Sequence, residues 1–348
     1  MEFKVIELSN PEWDEYIKSS YIYDFHHTSA YHQIECKNEE VAFLFIAEEE
    51  KTEFIAFPLV IKPIVGTNYN DATSVYGYGG PIVSDQINKM KPELIEYFKT
   101  NFIEYCHTHN IISVFSRLHP LVSHHLILND FGVIKELNKV VIIDLAESKE
   151  IQRQHYSKSN KNQINQLKKK KGFYSKLINS DDVDGIKEFL DIYNETMDRV
   201  NAKNFYYFDY EYFKKFLNNN SFKSHLLAIF KGDVMSAAGI FTETNMIMQY
   251  HLSGTRNEFI RDTPMKLLLD EARLLANKRN LKFLNLGGGV GGSDEDSLFK
   301  FKSSFSKSFK KFSVWNLIVN EEIYNELVMK KGVKEEEYPN FFPLYRAK

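Results

Sequence analysis

Cysteine is nearly absent from this sequence of 348 residues: only Cys36 and Cys106 occur, and neither has histidines beside it at metal-ligand spacing. Neither a disulfide framework nor a zinc site is indicated, and both thiols are expected to serve as small core side chains. A dominant charge is missing too. The 44 basic and 47 acidic side chains give a formal net charge of −3, so any surface that binds an anion has to be local. No apolar run approaches the roughly 18 residues of a membrane-spanning helix. Glu2, Lys4 and Glu7 interrupt the first residues in a way that a secretory signal does not allow. The expectation is a soluble, cytoplasmic chain with no metal. What is abundant is apolar and aromatic material, 43% and 14% of residues, enough to fill the cores of two ordinary domains.

Apolar runs at 41–47 and 54–61 flank the charged connector EEEKTE, the pattern of a hairpin. A glycine- and tyrosine-rich turn follows at 72–83. From Pro92, Ile95, Phe98, Phe102 and Cys106 recur at three- and four-residue spacing, which predicts a helix. Residues 111–115 then read as a strand and 140–145 as a short buried one. The domain boundary is expected just after it, giving domains 1–146 and 147–348. Residues 147–171 are polar and strongly basic and predict a helix that stops at Gly172. A second cycle comprises helices at 183–200 and 210–217, a hairpin of 224–230 with 234–241, and a strand at 246–252. Pro264 opens a further helix, and a last strand enters LGGGVGG at 286–292. Each half runs from a hairpin through a helix to a strand. The fold class is α/β (α+β), two domains side by side with a cleft between them.

Gly287, Gly289 and Gly292 match the G-x-G-x-x-G spacing after a strand. A dinucleotide site also needs a helix directly after the glycines, with its amides facing the pyrophosphate, and an acidic residue at the end of a second strand. Here Asp294, Glu295 and Asp296 stand where phosphate would lie, and too little chain remains for such a domain. A strand-end turn is the better reading. No Ser-His-Asp or Cys-His pairing is visible.

Eight stretches carry a resemblance: SVYGYGGP at 74–81, VIIDL at 141–145, SKSNKNQINQLKKKKG at 157–172, YNETMDRVNAKNFYYF at 193–208, YHLSGT at 250–255, LGGG at 286–289, DSLFKFKSSF at 296–305 and FFPLYR at 341–346. In this order they resemble the FemABX transferases and the related acetyltransferase-like proteins of bacterial polysaccharide clusters, which contain two GNAT-type domains. The chain lacks the long helical arm of the glycyl-transferring members and is similar to the compact form.

The resemblance implies an N-acyltransferase that joins an acetyl, other acyl or aminoacyl group to an amine by direct aminolysis. The acceptor would be a nucleotide-linked amino sugar or a precursor of peptidoglycan or cell-surface polysaccharide, and the donor acyl-CoA or aminoacyl-tRNA. Lys302, which matches the family's Phe-Lys pair with Phe301, would stabilise the oxyanion together with Tyr250, and His251 would accept a proton. Each has a plainer reading as a solvated or structural residue.

Tyr76, Tyr78 and Gly79 suit a sugar or base, or form an ordinary turn. Arg117 suits a phosphate or carboxylate. Lys161, in the basic segment, grips an anion or lies on a solvated face; the family often has arginine there. Arg199, Tyr206, Tyr207 and Phe301 complete the implied acceptor side. For the donor the candidates are Arg256, Arg261, Gly287, Gly288 and Gly289, although RNEFIRDTP lacks the glycines of the GNAT pyrophosphate loop. The rival expectation is a non-catalytic protein that binds a nucleotide-linked sugar. The acyl group, the acceptor and the oligomeric state are not legible.

Overall fold

The computed structural model describes residues 1–37, 39–50, 52–122, 125–289, 295–339 and 341–347. The chain divides into two compact units, one of Met1–Leu137 with Lys311–Lys348 and one of Asn138–Lys310. This differs from a single boundary after residue 146. The apolar run at 140–145 is the end of a longer strand whose residues 141–144 pair inside the second unit, and the last part of the chain returns to the first.

The first unit begins with β1 (Glu2–Glu7), α1 (Glu12–Ser19), α2 (Ser29–Glu35), β2 (Val41–Glu49) and β3 (Glu53–Pro63). The last two form the hairpin read from the sequence. The glycine- and tyrosine-rich segment holds two short strands, β4 (Asn70–Thr73) and β5 (Ile82–Val83). Helix α3 (Pro92–Thr108) then crosses to β6 (Ile111–Leu118), which runs parallel to β4 as such a crossover requires. α3 buries Leu94, Ile95, Phe98, Phe102 and Cys106, so its apolar stripe is the spacing seen in the sequence. With Phe45 and Phe57 they form the core, each buried ring being worth about 1.5–3 kcal/mol. Cys106 is a core residue, whereas Cys36 is only half-buried. A short helix, α4 (His125–Leu128), closes this part.

Strand β7 (Val133–Asp144) begins in the first unit, enters the second at Asn138 and leads to α5 (Lys149–Gln154) and α6 (Lys158–Lys169). The basic segment is thus two helices. Ser157 accepts the Asn160 N–H (3.1 Å) and restarts the helix as an N-cap. The second piece ends at Lys169, and Gly172, at φ +68°, turns the chain into β8 (Phe173–Ile178). There follow α7 (Val183–Arg199), α8 (Tyr210–Leu217), β9 (Lys223–Lys231), β10 (Val234–Glu243), β11 (Ile247–Thr255), α9 (Met265–Lys278), β12 (Phe283–Gly287) and α10 (Ser297–Ser303). Their sheet order is β7-β12-β11-β10-β9-β8. Only β11 and β12 are parallel, joined across α9.

One face packs Leu227, Ile229, Phe241, Met248, Leu284 and Leu286 with residues of α6 and α9. On the other lies α7, close enough that a Cβ on Gly254 would stand 2.6 Å from the Ile192 carbonyl oxygen.

After α10 the chain re-enters the first unit as β13 (Ser308–Ile318), antiparallel to β6, with Trp315 fully buried. Helix α11 (Glu321–Lys331) follows, and the terminal Tyr345 and Arg346 bind the buried Asp71 carboxylate. Among the described residues no helix is long and apolar enough to cross a membrane.

Candidate active site

β11 and β12 part within the second unit. Their pairing ends at Gln249↔Asn285, while β11 runs on to Thr255 beside β10. A bulge opposite Ile240 and Phe241 gives β11 one extra residue, His251, just past that point. The extra residue brings Tyr250 and Ser253 to one face, where their hydroxyls are hydrogen-bonded.

Lys302 reaches this mouth from α10. Asp296 caps the helix by accepting the Phe299 N–H (2.9 Å). The Lys302 ammonium donates to the Gly288 carbonyl (2.7 Å) and stands 5.4 Å from the centre of the Tyr250 ring. Only 8% of Lys302 is exposed. Burial lowers its pKa to about 8, the nearby Asp296 charge pulling partly the other way. Burial also pushes the Tyr250 hydroxyl up to about 12. At neutral pH the site therefore holds a poorly hydrated cation beside a neutral phenol, an arrangement suited to a developing negative charge. Phe301, half-buried, packs edge-on against Phe305 in the core beneath.

The glycines serve this geometry. Gly287 has φ +74°. A Cβ on Gly289 would lie 2.3 Å from the Asp296 carboxylate, so a side chain there would displace the cap of α10. Gly292, with Val290, Gly291, Ser293 and Asp294, lies outside the described residues.

His251 points elsewhere. Its ring lies flat on Phe216 of α8 (4.7 Å, 7°), while Tyr250 stacks on Phe241 in the opposite core. The extra residue that aligns Tyr250 with Ser253 turns His251 to the other face. Arg256 donates to the Met235 carbonyl (3.0 Å) and to Glu188 (2.9 Å), with Glu195 3.7 Å away. Arg261 is exposed on the turn Asn257–Asp262. Arg199 bonds Thr255 O (3.3 Å) and Thr196 Oγ1 (3.1 Å), tying the end of α7 to the end of β11. The Tyr206 carbonyl accepts from Tyr193 (2.8 Å), and the exposed Tyr207 donates to Asp198 (2.8 Å). In the basic segment Lys168 pairs with Glu271 and Lys171 with Asp262, and Lys161 donates to the Gln154 carbonyl (3.3 Å). Half of the six lysines in this apparent anion grip thus have carboxylate or carbonyl partners from their own unit.

The first unit gathers a second group. The Gly79 N–H donates to the Arg117 carbonyl (2.7 Å) and the His119 N–H to the Gly79 carbonyl (2.9 Å), laying YGYGG along β6. This brings the Arg117 guanidinium over the rings of Tyr76 (5.7 Å) and Phe115 (5.1 Å). Tyr78 meets His26 and His119 edge-on, each at 5.5 Å. Sequence reading missed what lies beneath. His119 Nε2 donates to Asp24 Oδ2 (3.0 Å), and its Nδ1 accepts the Leu121 N–H (3.2 Å). Burial would raise the Asp24 carboxyl, but the hydrogen bond from His119 and the His26 ring nitrogen 3.3 Å away outweigh it and hold the group well below the usual carboxylate range. The signal available was four of eleven histidines, His26, His27, His32 and His119, in stretches otherwise rich in buried residues.

No protein-family model and no curated protein matches the sequence. Solved structures do match in shape. FemX superposes with a TM-score of 0.73 at 14% identity, over 94% of this chain and 99% of that one. L-PGS from Bacillus licheniformis gives 0.56 at 12% identity, over 92% and 96%. A tandem GNAT protein from the clavulanic acid biosynthesis pathway gives 0.51 at 7% identity, over 92% and 99%. The chain has the tandem GNAT fold. In this tandem GNAT fold each unit carries one parallel strand pair joined across a helix, β4 and β6 across α3, β11 and β12 across α9. Identities this low carry the shape of the chain and no chemistry, which has to be argued from the side chains.

Proposed function

We propose that the protein is an N-acyltransferase that moves an acyl or aminoacyl group from an activated donor to an amine. The observation that carries this reading is the buried Lys302 ammonium at the parting of β11 and β12, held by Gly288 and facing Tyr250. The amine nitrogen attacks the donor carbonyl carbon, and the carbonyl oxygen takes up negative charge opposite Lys302. That charge returns as the C–S bond of a thioester or the C–O bond of an aminoacyl ester breaks. The leaving thiolate or alkoxide takes the proton lost by the amine, so no covalent enzyme intermediate is needed. A pKa of about 8 keeps Lys302 mostly protonated at neutral pH.

The acceptor in this reading is a phosphorylated saccharide precursor, a nucleotide-linked amino sugar or a peptidoglycan or cell-surface polysaccharide intermediate. The donor is acyl-CoA or aminoacyl-tRNA. The fold shared with FemX and a tandem GNAT protein supports the class of reaction. The test is incubation with acetyl-CoA or charged tRNA and an amino-sugar nucleotide, with the amide product read by mass spectrometry. Product that disappears in Lys302→Ala supports the reading. Ligand affinity without product, or full turnover by Lys302→Ala, would overturn it.

A further inference from the structure

A parallel ladder adds a rung every two residues on each strand. Between β11 and β12 the Phe283 N–H donates to the Met246 carbonyl (3.0 Å), and the register runs Ile247↔Phe283, Met248↔Leu284, Gln249↔Asn285. Continued regularly from Gln249↔Asn285, the ladder would join the Gly287 N–H to the Tyr250 carbonyl, although β12 bulges there against β7, between Asn285 and Gly287. That rung is not made. The Gly287 N–H donates to Asn285 Oδ1 (2.8 Å), and the Tyr250 carbonyl accepts from Gln249 Nε2 (3.0 Å). Both ends of the missing rung are taken by side chains of the last paired residues.

Gln249 and Asn285 are 4% and 0% exposed and, being register partners, share the sheet face opposite α9. Gln249 Oε1 and Asn285 Nδ2 have no hydrogen-bond partner among the described residues. Aliphatic side chains would fill the space without stranding polar atoms. What amides add here is occupation of the rung.

Resting on the acyl-transfer reading above, we infer that Gln249 and Asn285 are positioning residues that keep β11 and β12 apart, so that the mouth holding Lys302 is built before any acyl donor arrives. Were the rung to form, Gly287 and the adjoining Gly288 carbonyl would be drawn onto Tyr250, and the room between the Lys302 ammonium and the Tyr250 ring would close. The device is preorganised: each clamp is made within its own strand and needs no ligand to form.

The test is the double variant Gln249→Leu/Asn285→Leu, studied by crystal structure and by steady-state transfer. The expected structure has the Gly287 nitrogen about 2.9 Å from the Tyr250 oxygen. The expected kcat/KM is lower by about a hundredfold, the scale of a misplaced reacting group. Asn285→Asp keeps an acceptor for Gly287 and is expected to keep the strands parted and most of the activity. Strands that stay parted in the double variant overturn the inference whatever the activity. Strands that close while transfer is unchanged leave the clamp standing and refute this mouth as the transfer site. Should the double variant not fold, Gln249→Met and Asn285→Leu alone answer the same question, each freeing one end of the rung.

Discussion

Replacing Lys302 by methionine is expected to abolish transfer and to make the protein more stable at neutral pH. The side chain is 8% exposed and its pKa is about 8, against 10.5 for an ordinary lysine. At about 1.4 kcal/mol per pH unit, holding the charge inside costs on the order of 3 kcal/mol at pH 7. Methionine fills a similar space without charge and gives up the hydrogen bond to Gly288, worth about 1 kcal/mol. The net gain is about 2 kcal/mol. Its pH dependence is the sharper test. Between pH 8 and 10.5 the unfolded chain still binds the proton that the folded chain has released, so native stability rises through that window. At pH 10 about 1 kcal/mol of penalty remains, and the advantage of the variant fades to near zero. Denaturant unfolding followed by circular dichroism at pH 7 and pH 10 measures both. A variant equally destabilised at both values would refute the assignment of Lys302 as a strained, buried cation.

Gly254→Ala is expected to cost about 2 kcal/mol, read as a lower Tm, because the new Cβ would press on the Ile192 carbonyl of α7. Acid is expected to open the first unit early. His32 is fully buried, its pKa lowered to about 4 by burial, and burial lowers His26 and His27 as well. Unfolding lets them take protons below pH 6.5, so stability falls as pH drops from 6.5 towards 4, for His32 alone by on the order of 3 kcal/mol. Trp13 and Trp315 both belong to this unit, so intrinsic fluorescence reports it. His32→Phe should flatten the pH dependence.

The sequence was informative wherever periodicity was set by one local face. The stripe of α3, the hairpins of β2 with β3 and β9 with β10, and the Pro264 start of α9 could all be read from spacing and turn residues. The break at Ser157 was hidden because a serine inside a polar, basic run looks like one more solvated position. Partners distant in sequence were hidden as well. Arg256 reads as a free cation beside a phosphate site, but Glu188 and Glu195, brought alongside by α7, occupy it. A bulge is subtler: one added residue in β11 separates His251 from Tyr250, which adjacent spelling had joined in a single candidate site. Lys302 was found through its Phe-Lys motif, whereas Gln249 and Asn285 carried only the faint signal of amides inside apolar strands.

The return of Lys311–Lys348 to the first unit sets an order of completion during synthesis. Residues 138–310 leave the ribosome with all they need to pair as a unit, while the earlier segment waits for β13 to cover β6 and for Tyr345 and Arg346 to reach Asp71. A chain cut at 310 would have a complete second unit and a first unit with the bare edge of β6, the kind of surface on which nascent chains aggregate.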